Sequence, residues 1–151
     1  MEFVISSVEA MMTFGNKLGA VLRGGEVIEL IGDIGAGKTT LTKGIAQGLG
    51  VKDDVQSPTF TISRTYTAGN DLVLAHYDFY RLVDAGIMTM ELHESVSDPH
   101  IVTVLEWAGI VAGVLPKDTL TIRIESMTEL SRRVTLTAGG AKARRLMEVV
   151  K

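Results

Sequence analysis

One run of residues carries the plainest chemistry in the chain. Gly32-Asp33-Ile34-Gly35-Ala36-Gly37-Lys38-Thr39 matches G-x-x-x-x-G-K-[ST], the pattern of a loop that curls backbone N–H groups around phosphate oxygens. Glycine is required where a Cβ would block that close approach. In such a loop the lysine, Lys38, reaches the β- and γ-phosphates, and the hydroxyl of Thr39 ligates Mg²⁺. Gly32, Asp33, Gly35, Ala36, Gly37, Lys38, Thr39 and Thr40 are therefore the candidate nucleotide-binding residues.

Hydrolysis at such a site needs hard carboxylate oxygens beside the Thr39 hydroxyl, because Mg²⁺ takes oxygen ligands in near-octahedral geometry. Two acids end apolar runs: Asp78, after Leu72-Val73-Leu74-Ala75, and Glu106, after Ile101-Val102-Thr103-Val104-Leu105. Lys38, Asp78 and Glu106 are the candidate catalytic residues, and Thr39, Asp78 and Glu106 the candidate metal ligands. Either acid can hold the metal while the other orients the attacking water. The strand direction that would rank them is not encoded locally. Ser57-Pro58-Thr59 places two hydroxyls where nucleotide hydrolases often sense the γ-phosphate, though an ordinary loop reads equally well. Arg64 and Arg81 are the nearest basic residues, better read as solvated than as an arginine supplied to the transition state. His76, His93 and His100 lack metal-ligand spacing and read as local hydrogen-bonding or surface residues. Neither N-K-x-D nor D-x-x-G occurs, so ATP is the expected nucleotide rather than GTP.

The elements that must position these groups follow from periodicity. Val27-Ile28-Glu29-Leu30-Ile31 is a strand leading into the loop, and Leu41, Ile45 and Leu49 share one face of the helix that follows it. Before them, Ser6 caps a helix, with Glu9 at capping-box spacing. Apolar residues from Val8 to Leu22 continue that helix up to Gly24-Gly25, and for its Met11 and Met12 core packing is a safer reading than lining a ligand pocket. Alternation from Thr59 to Tyr66 predicts a strand, joined through Ala68-Gly69-Asn70-Asp71 to the strand Leu72–Phe79 as an antiparallel hairpin. Tyr80 to Ser97 holds one or two short helices, interrupted near Asp84-Ala85-Gly86. Two alternating strands, Leu120–Glu125 and Val134–Thr137, precede a closing helix over Ala141–Val150. The expected architecture is α/β, a three-layer phosphate-loop NTPase fold with a mixed parallel and antiparallel sheet, as a single domain over residues 1–151.

Bulk properties narrow the class. Net charge is −3, from 15 basic and 18 acidic residues, so the overall field does not draw nucleic acid. Arg132, Arg133, Lys142, Arg144, Arg145 and Lys151 read as a solvated face rather than a binding patch. No apolar run approaches the ~20 residues of a membrane span, cysteine is absent, and the first residues are unlike a signal peptide. A cytoplasmic protein without membrane partners is expected.

Taken together, Gly32 to Thr40, Ser57-Pro58-Thr59-Phe60, His76-Tyr77-Asp78-Phe79-Tyr80-Arg81-Leu82 and Leu105-Glu106-Trp107 resemble the bacterial TsaE (YjeE) family in order and spacing. That family is the ATPase component of the system forming threonylcarbamoyladenosine in tRNA. The resemblance implies weak Mg²⁺-dependent ATP hydrolysis to ADP and action through the TsaB–TsaD heterodimer, with tRNA contacted only indirectly. It implies Thr39 and Glu106 at the metal and Asp78 beside them. The family's first helix usually carries a threonine near the nucleotide, where this chain has Met11. Two other readings share the phosphate loop: a small-molecule kinase, which would need an acceptor pocket and usually an arginine-rich lid, and a nucleotide-gated binding module without useful hydrolysis.

Overall fold

β-branched and aliphatic residues at Val27, Ile28, Leu30 and Ile31 favour extended backbone, and they form the central strand of the sheet. The computed structural model describes residues 1–58, 60–86 and 88–151. The described strands are β1 (Glu2–Ile5), β2 (Val27–Ile31), β3 (Ser63–Thr67), β4 (Val73–Asp78), β5 (Ile101–Glu106), β6 (Leu120–Ser126) and β7 (Arg132–Ala138). The α-helices are α1 (Val8–Ala20), α2 (Lys38–Leu49), α3 (Met88–Ser97) and α4 (Ala141–Val149), with a kinked 3-10 segment over Ala108–Val114. One sheet unites the strands in the order β1-β7-β6-β2-β5-β4-β3.

The sheet is mixed, as expected. Strands β6, β2, β5 and β4 run parallel, and β1, β7 and β3 pair antiparallel at its two sides. This settles the direction of β4: although it forms a hairpin with β3, it runs parallel to β5 with Asp78 in register with Glu106. Both acids therefore end their strands on the same edge as the phosphate loop that follows β2.

The larger core lies between the sheet and α1, α2 and α4, with Leu18, Ile28, Leu41, Ile45, Ile122 and Leu146 in it. α1 and α2 meet backbone to backbone. A Cβ on Gly19 would stand 2.0 Å from the Ile45 carbonyl oxygen, and one on Gly48 would stand 2.2 Å from that of Asn16. The helix carrying the phosphate loop is thus clamped close against its neighbour. On the other face, α3 and the 3-10 segment cover a smaller core around Tyr77, Leu92 and Leu105. That outer layer lies over β4 and β5, whereas Arg123, Glu125, Arg133 and Thr137 of β6 and β7 are exposed.

Several local expectations need correction. Ser7, not Ser6, caps α1: its Oγ accepts from the Ala10 N–H at 3.0 Å, and the helix stops at Ala20, well before Gly24-Gly25. The helical spacing persists to Leu22 because Leu22 is still buried, although the chain has already turned. The strand expected from Thr59 begins only at Ser63, because Ile62 takes a left-handed φ of 69° and Phe60 is exposed. Strand β1 is an added edge, too short and too little buried to show a clear alternation. Between Tyr80 and Ser97, one helix is described, starting at Met88; the expected contributions of Thr59 and Ile87 lie outside the described residues.

Candidate active site

At the carboxyl ends of β2, β5 and β4 the sheet opens into a cleft of about 440 Å³. Ligands of open α/β sheets gather at this edge. Gly35, Gly37, Lys38, Thr39 and Thr40 line it together with Ser57, Asp78, Arg81, Glu106 and Trp107. Gly32, Asp33 and Ala36 line an adjoining depression beside β6. Of the basic residues weighed from the sequence, Arg81 reaches the cleft mouth, stacked 4.6 Å over the Phe60 ring. Arg64 is exposed on the β3 edge strand and lines no part of the cleft.

The loop is shaped for an anion. Gly35 and Gly37 take φ values of 83° and 115°, which a side chain would strain. Gly37 precedes α2 with no side-chain cap, so the first N–H groups of the helix are left for a ligand. Lys38 Nζ donates to the Gly32 carbonyl oxygen at 2.5 Å and lies 4.1 Å from the centre of the Trp107 ring. Burial lowers its pKa from the ordinary lysine value, opposed by the carboxylates of Glu106, Asp78 and Asp33. A phosphate entering the cleft would meet this cation directly.

The acids are held by different means. Asp78 Oδ1 accepts from the Tyr80 N–H at 3.0 Å, and its Oδ2 lies 3.5 Å from the Ser57 hydroxyl, which brings the Ser-Pro segment to the site. Glu106 Oε2 is 2.7 Å from His76 Nε2, a wholly buried histidine on β4. Trp107 follows in a left-handed conformation, φ 56°. For a bulky residue this costs about 1–3 kcal/mol, and it swings the indole over Lys38 and against the Tyr80 ring, 5.0 Å between centroids.

Sequence reasoning missed two contributors. His76 shares the alternation face of Leu74 and Asp78, a signal available in period two, but its partner lies on another strand. Arg132, read as surface charge, donates from Nε to the Ala36 carbonyl at 3.0 Å and from Nη1 to the Thr128 carbonyl at 3.0 Å. It ties the β6–β7 turn to the phosphate loop. A small hollow of about 160 Å³ lies between that turn and α1, lined by Val8, Met11, Gly37, Thr40 and Leu130.

A family model described as threonylcarbamoyl adenosine biosynthesis protein TsaE matches residues 5–134. The chain belongs to the TsaE family. A tRNA threonylcarbamoyladenosine biosynthesis protein TsaE from Streptomyces coelicolor is 40% identical over 140 residues, covering 87% of this chain and 93% of that protein. Its counterpart from Bacillus subtilis is 40% identical over 133 residues, covering 85% and 80%. The crystal structure of YdiB from Bacillus subtilis matches with a TM-score of 0.82 at 32% identity, over 99% of this chain and 93% of that one. The TsaE assignment thus extends over fold and sequence alike, including β2, the phosphate loop, and the strands bearing Asp78 and Glu106.

The donors in the cleft suit a divalent ion held jointly with a substrate. Thr39, Asp78 and Glu106 offer hard oxygens around one space. Among the described residues no three His, Cys, Asp or Glu side chains converge as a self-sufficient metal cage. Mg²⁺ bound here would complete its shell with phosphate oxygens and water, its usual habit. Among those residues, too, no helix is long and apolar enough to cross a membrane.

Proposed function

We propose that this TsaE-family chain binds ATP with Mg²⁺, hydrolyses it slowly to ADP, and thereby supports formation of threonylcarbamoyladenosine in tRNA through a TsaB–TsaD heterodimer. The observation that carries the reading is the register of Asp78 with Glu106 at the mouth of a glycine-lined phosphate loop. In this reading the loop amides and the α2 N-terminus bind the phosphates, and Lys38 leaves the Gly32 carbonyl to meet the β- and γ-oxygens. Thr39 and Glu106 would hold the Mg²⁺, which would supply positive charge to the phosphate oxygens. Asp78, beside them, would orient and deprotonate the attacking water. The hollow beside Met11 takes the nucleobase.

The net charge of −3 fits a subunit that leaves tRNA contact to its partners. Ile34, Phe60 and Val83 are exposed apolar residues on the phosphate loop and on the segments beside the cleft, where a partner subunit could cover them.

ATP turnover by the purified chain, alone and with TsaB–TsaD, tests the proposal. Stimulation by the partners supports it, and phosphate transfer to a small acceptor would overturn it in favour of a kinase. Lys38→Ala should abolish ATP binding. Trp107 fluorescence should change on adding Mg²⁺–ATP, because Lys38 is drawn off the indole; a flat titration despite binding by calorimetry would refute that movement.

A further inference from the structure

Arg132 opens β7 in a slot where an apolar residue is expected. Period two along the strand puts it on the face of Val134 and Leu136, both buried in the larger core against the helices. Where that face reaches the phosphate loop, a half-buried guanidinium takes the place of a core side chain.

Its hydrogen bonds among the described residues all go to main-chain carbonyls. Nη1 donates to the oxygens of Thr128 and Ser131, each at 3.0 Å, and lies 3.3 Å from that of Glu129. The β6–β7 turn is closed without these bonds, by the Met127 N–H donating to the Ser131 carbonyl at 3.0 Å and the Ser131 N–H to Thr128 Oγ1 at 3.1 Å. Nε donates outside the turn, to the Ala36 carbonyl at 3.0 Å.

That carbonyl belongs to the peptide unit that ends at the Gly37 nitrogen. No cis peptide occurs among the described residues, so the C=O and N–H of this unit point in opposite directions. With the oxygen turned to Arg132, the Gly37 N–H is turned away from it. Local sterics do not fix this orientation: Gly37 sits at φ 115°, and a glycine lets the peptide before it rotate between positive and negative φ at little cost. The preceding unit is held differently, by the Ala36 N–H donating to the Asp33 carbonyl at 3.0 Å. The glycine that admits a phosphate therefore also loosens the amide that must meet it, and a guanidinium from a distant strand removes that looseness.

We propose that Arg132 is a positioning residue for nucleotide binding: its Nε–H holds the Ala36 carbonyl so that the Gly37 N–H stays directed at the phosphate chain of the ligand. The inference rests on the phosphate-loop reading above. The guanidinium stays charged at any working pH, and a charged donor makes the stronger class of hydrogen bond to a carbonyl. An amide fixed beforehand needs no reordering when the anion arrives, so loss of the tether is felt as affinity.

The test uses ATP and inorganic triphosphate, each with Mg²⁺; the second has the phosphates and no base. Arg132→Met in the full chain keeps an unbranched apolar stem and removes the donors. It should bind both compounds about fivefold more weakly in calorimetric titration, the factor for one lost hydrogen bond. In the proton–nitrogen NMR spectrum, triphosphate should move the Gly37 amide proton of the wild type downfield, and in Arg132→Met that displacement should shrink. In the unliganded wild type the Arg132 Nε–H should exchange with solvent more slowly than that of Arg64, which is exposed on β3; this readout stands even if the variant does not fold. The proposal is overturned by wild-type triphosphate affinity in Arg132→Met, by a Gly37 displacement equal in the two chains, or by an Arg132 Nε–H that exchanges as fast as that of Arg64. Weaker ATP binding with unchanged triphosphate binding would also overturn it, and would assign Arg132 to the turn and the hollow that Glu129 and Leu130 line. A wild-type chain that binds neither compound, or a Lys38→Ala chain that binds both as well as the wild type, would instead refute the phosphate-loop reading.

Discussion

Glu26 and Glu106 are both 3% exposed and stand at opposite ends of neighbouring parallel strands. Glu26, just before β2, is saturated: its carboxylate accepts from the N–H groups of Arg23 and Gly24 and from Arg145 of α4 at 2.9 Å. Glu106, at the end of β5, has one oxygen on His76 and lines an open cleft. Burial therefore does not separate a carboxylate that is fully used inside the fold from one that faces a cleft, but the use of its lone pairs does. Strand polarity accounts for the placement, because the carboxyl ends of parallel strands are where this fold leaves space.

The sharpest break in the comparison is Glu106→Gln. It should slow ATP turnover by about 10²-fold or more, because a bound metal supplies several kcal/mol of transition-state stabilisation, while the melting temperature of the unliganded chain stays near wild type. Glu26→Gln should do the reverse. With Arg145 left beside a neutral amide, stability should fall by about 2–3 kcal/mol, in line with hydrogen bonds to charged groups, and turnover per folded molecule should hold. For a chain of this size that is a drop of roughly 5–10 °C in a calorimetric melt. If Glu26→Gln inactivates without destabilising, the division between the two ends of the sheet is wrong.

Arg132→Met probes an intermediate case, a structural contact made to the phosphate loop itself. Removing it should cost about 1 kcal/mol, appearing as a several-fold weaker ATP affinity in a binding titration. The smallest effect belongs to Glu29, on the outer face of β2. Burial raises its pKa, with the Arg123 charge partly offsetting the shift. A raised carboxyl pKa penalises folding once the group ionises, so Glu29→Gln should be slightly more stable at neutral pH, within the ~0.5 kcal/mol typical of such sites. The gain should vanish as pH falls below the ordinary glutamate pKa, where both chains are neutral; a gain that persists there would point to packing instead.

Much of the site was legible residue by residue. The phosphate loop is a local motif whose glycines, lysine and threonine act through the backbone that contains them, and the apolar runs ending in Asp78 and Glu106 marked both acids. The Phe60 region was misread because alternation persists through a turn: Ile62 bends left-handed to pass its carbonyl to the Asp78 N–H at 2.8 Å. Arg132 and Arg145 looked like solvated charge, since composition does not reveal that one finds the Ala36 carbonyl and the other Glu26.

The sequence by itself determined that the chain carries a phosphate-loop motif, alternates strands with helices, and ends two strands in acids, because local backbone preference and side-chain period depend only on near neighbours. Only the tertiary structure decided that β4 runs parallel to β5, that Asp78 meets Glu106 in register, and that a buried histidine holds one oxygen of that glutamate. Period two assigns a residue to a face of the sheet. The partner across the next strand is chosen by helix packing and chain direction, which are properties of the whole fold.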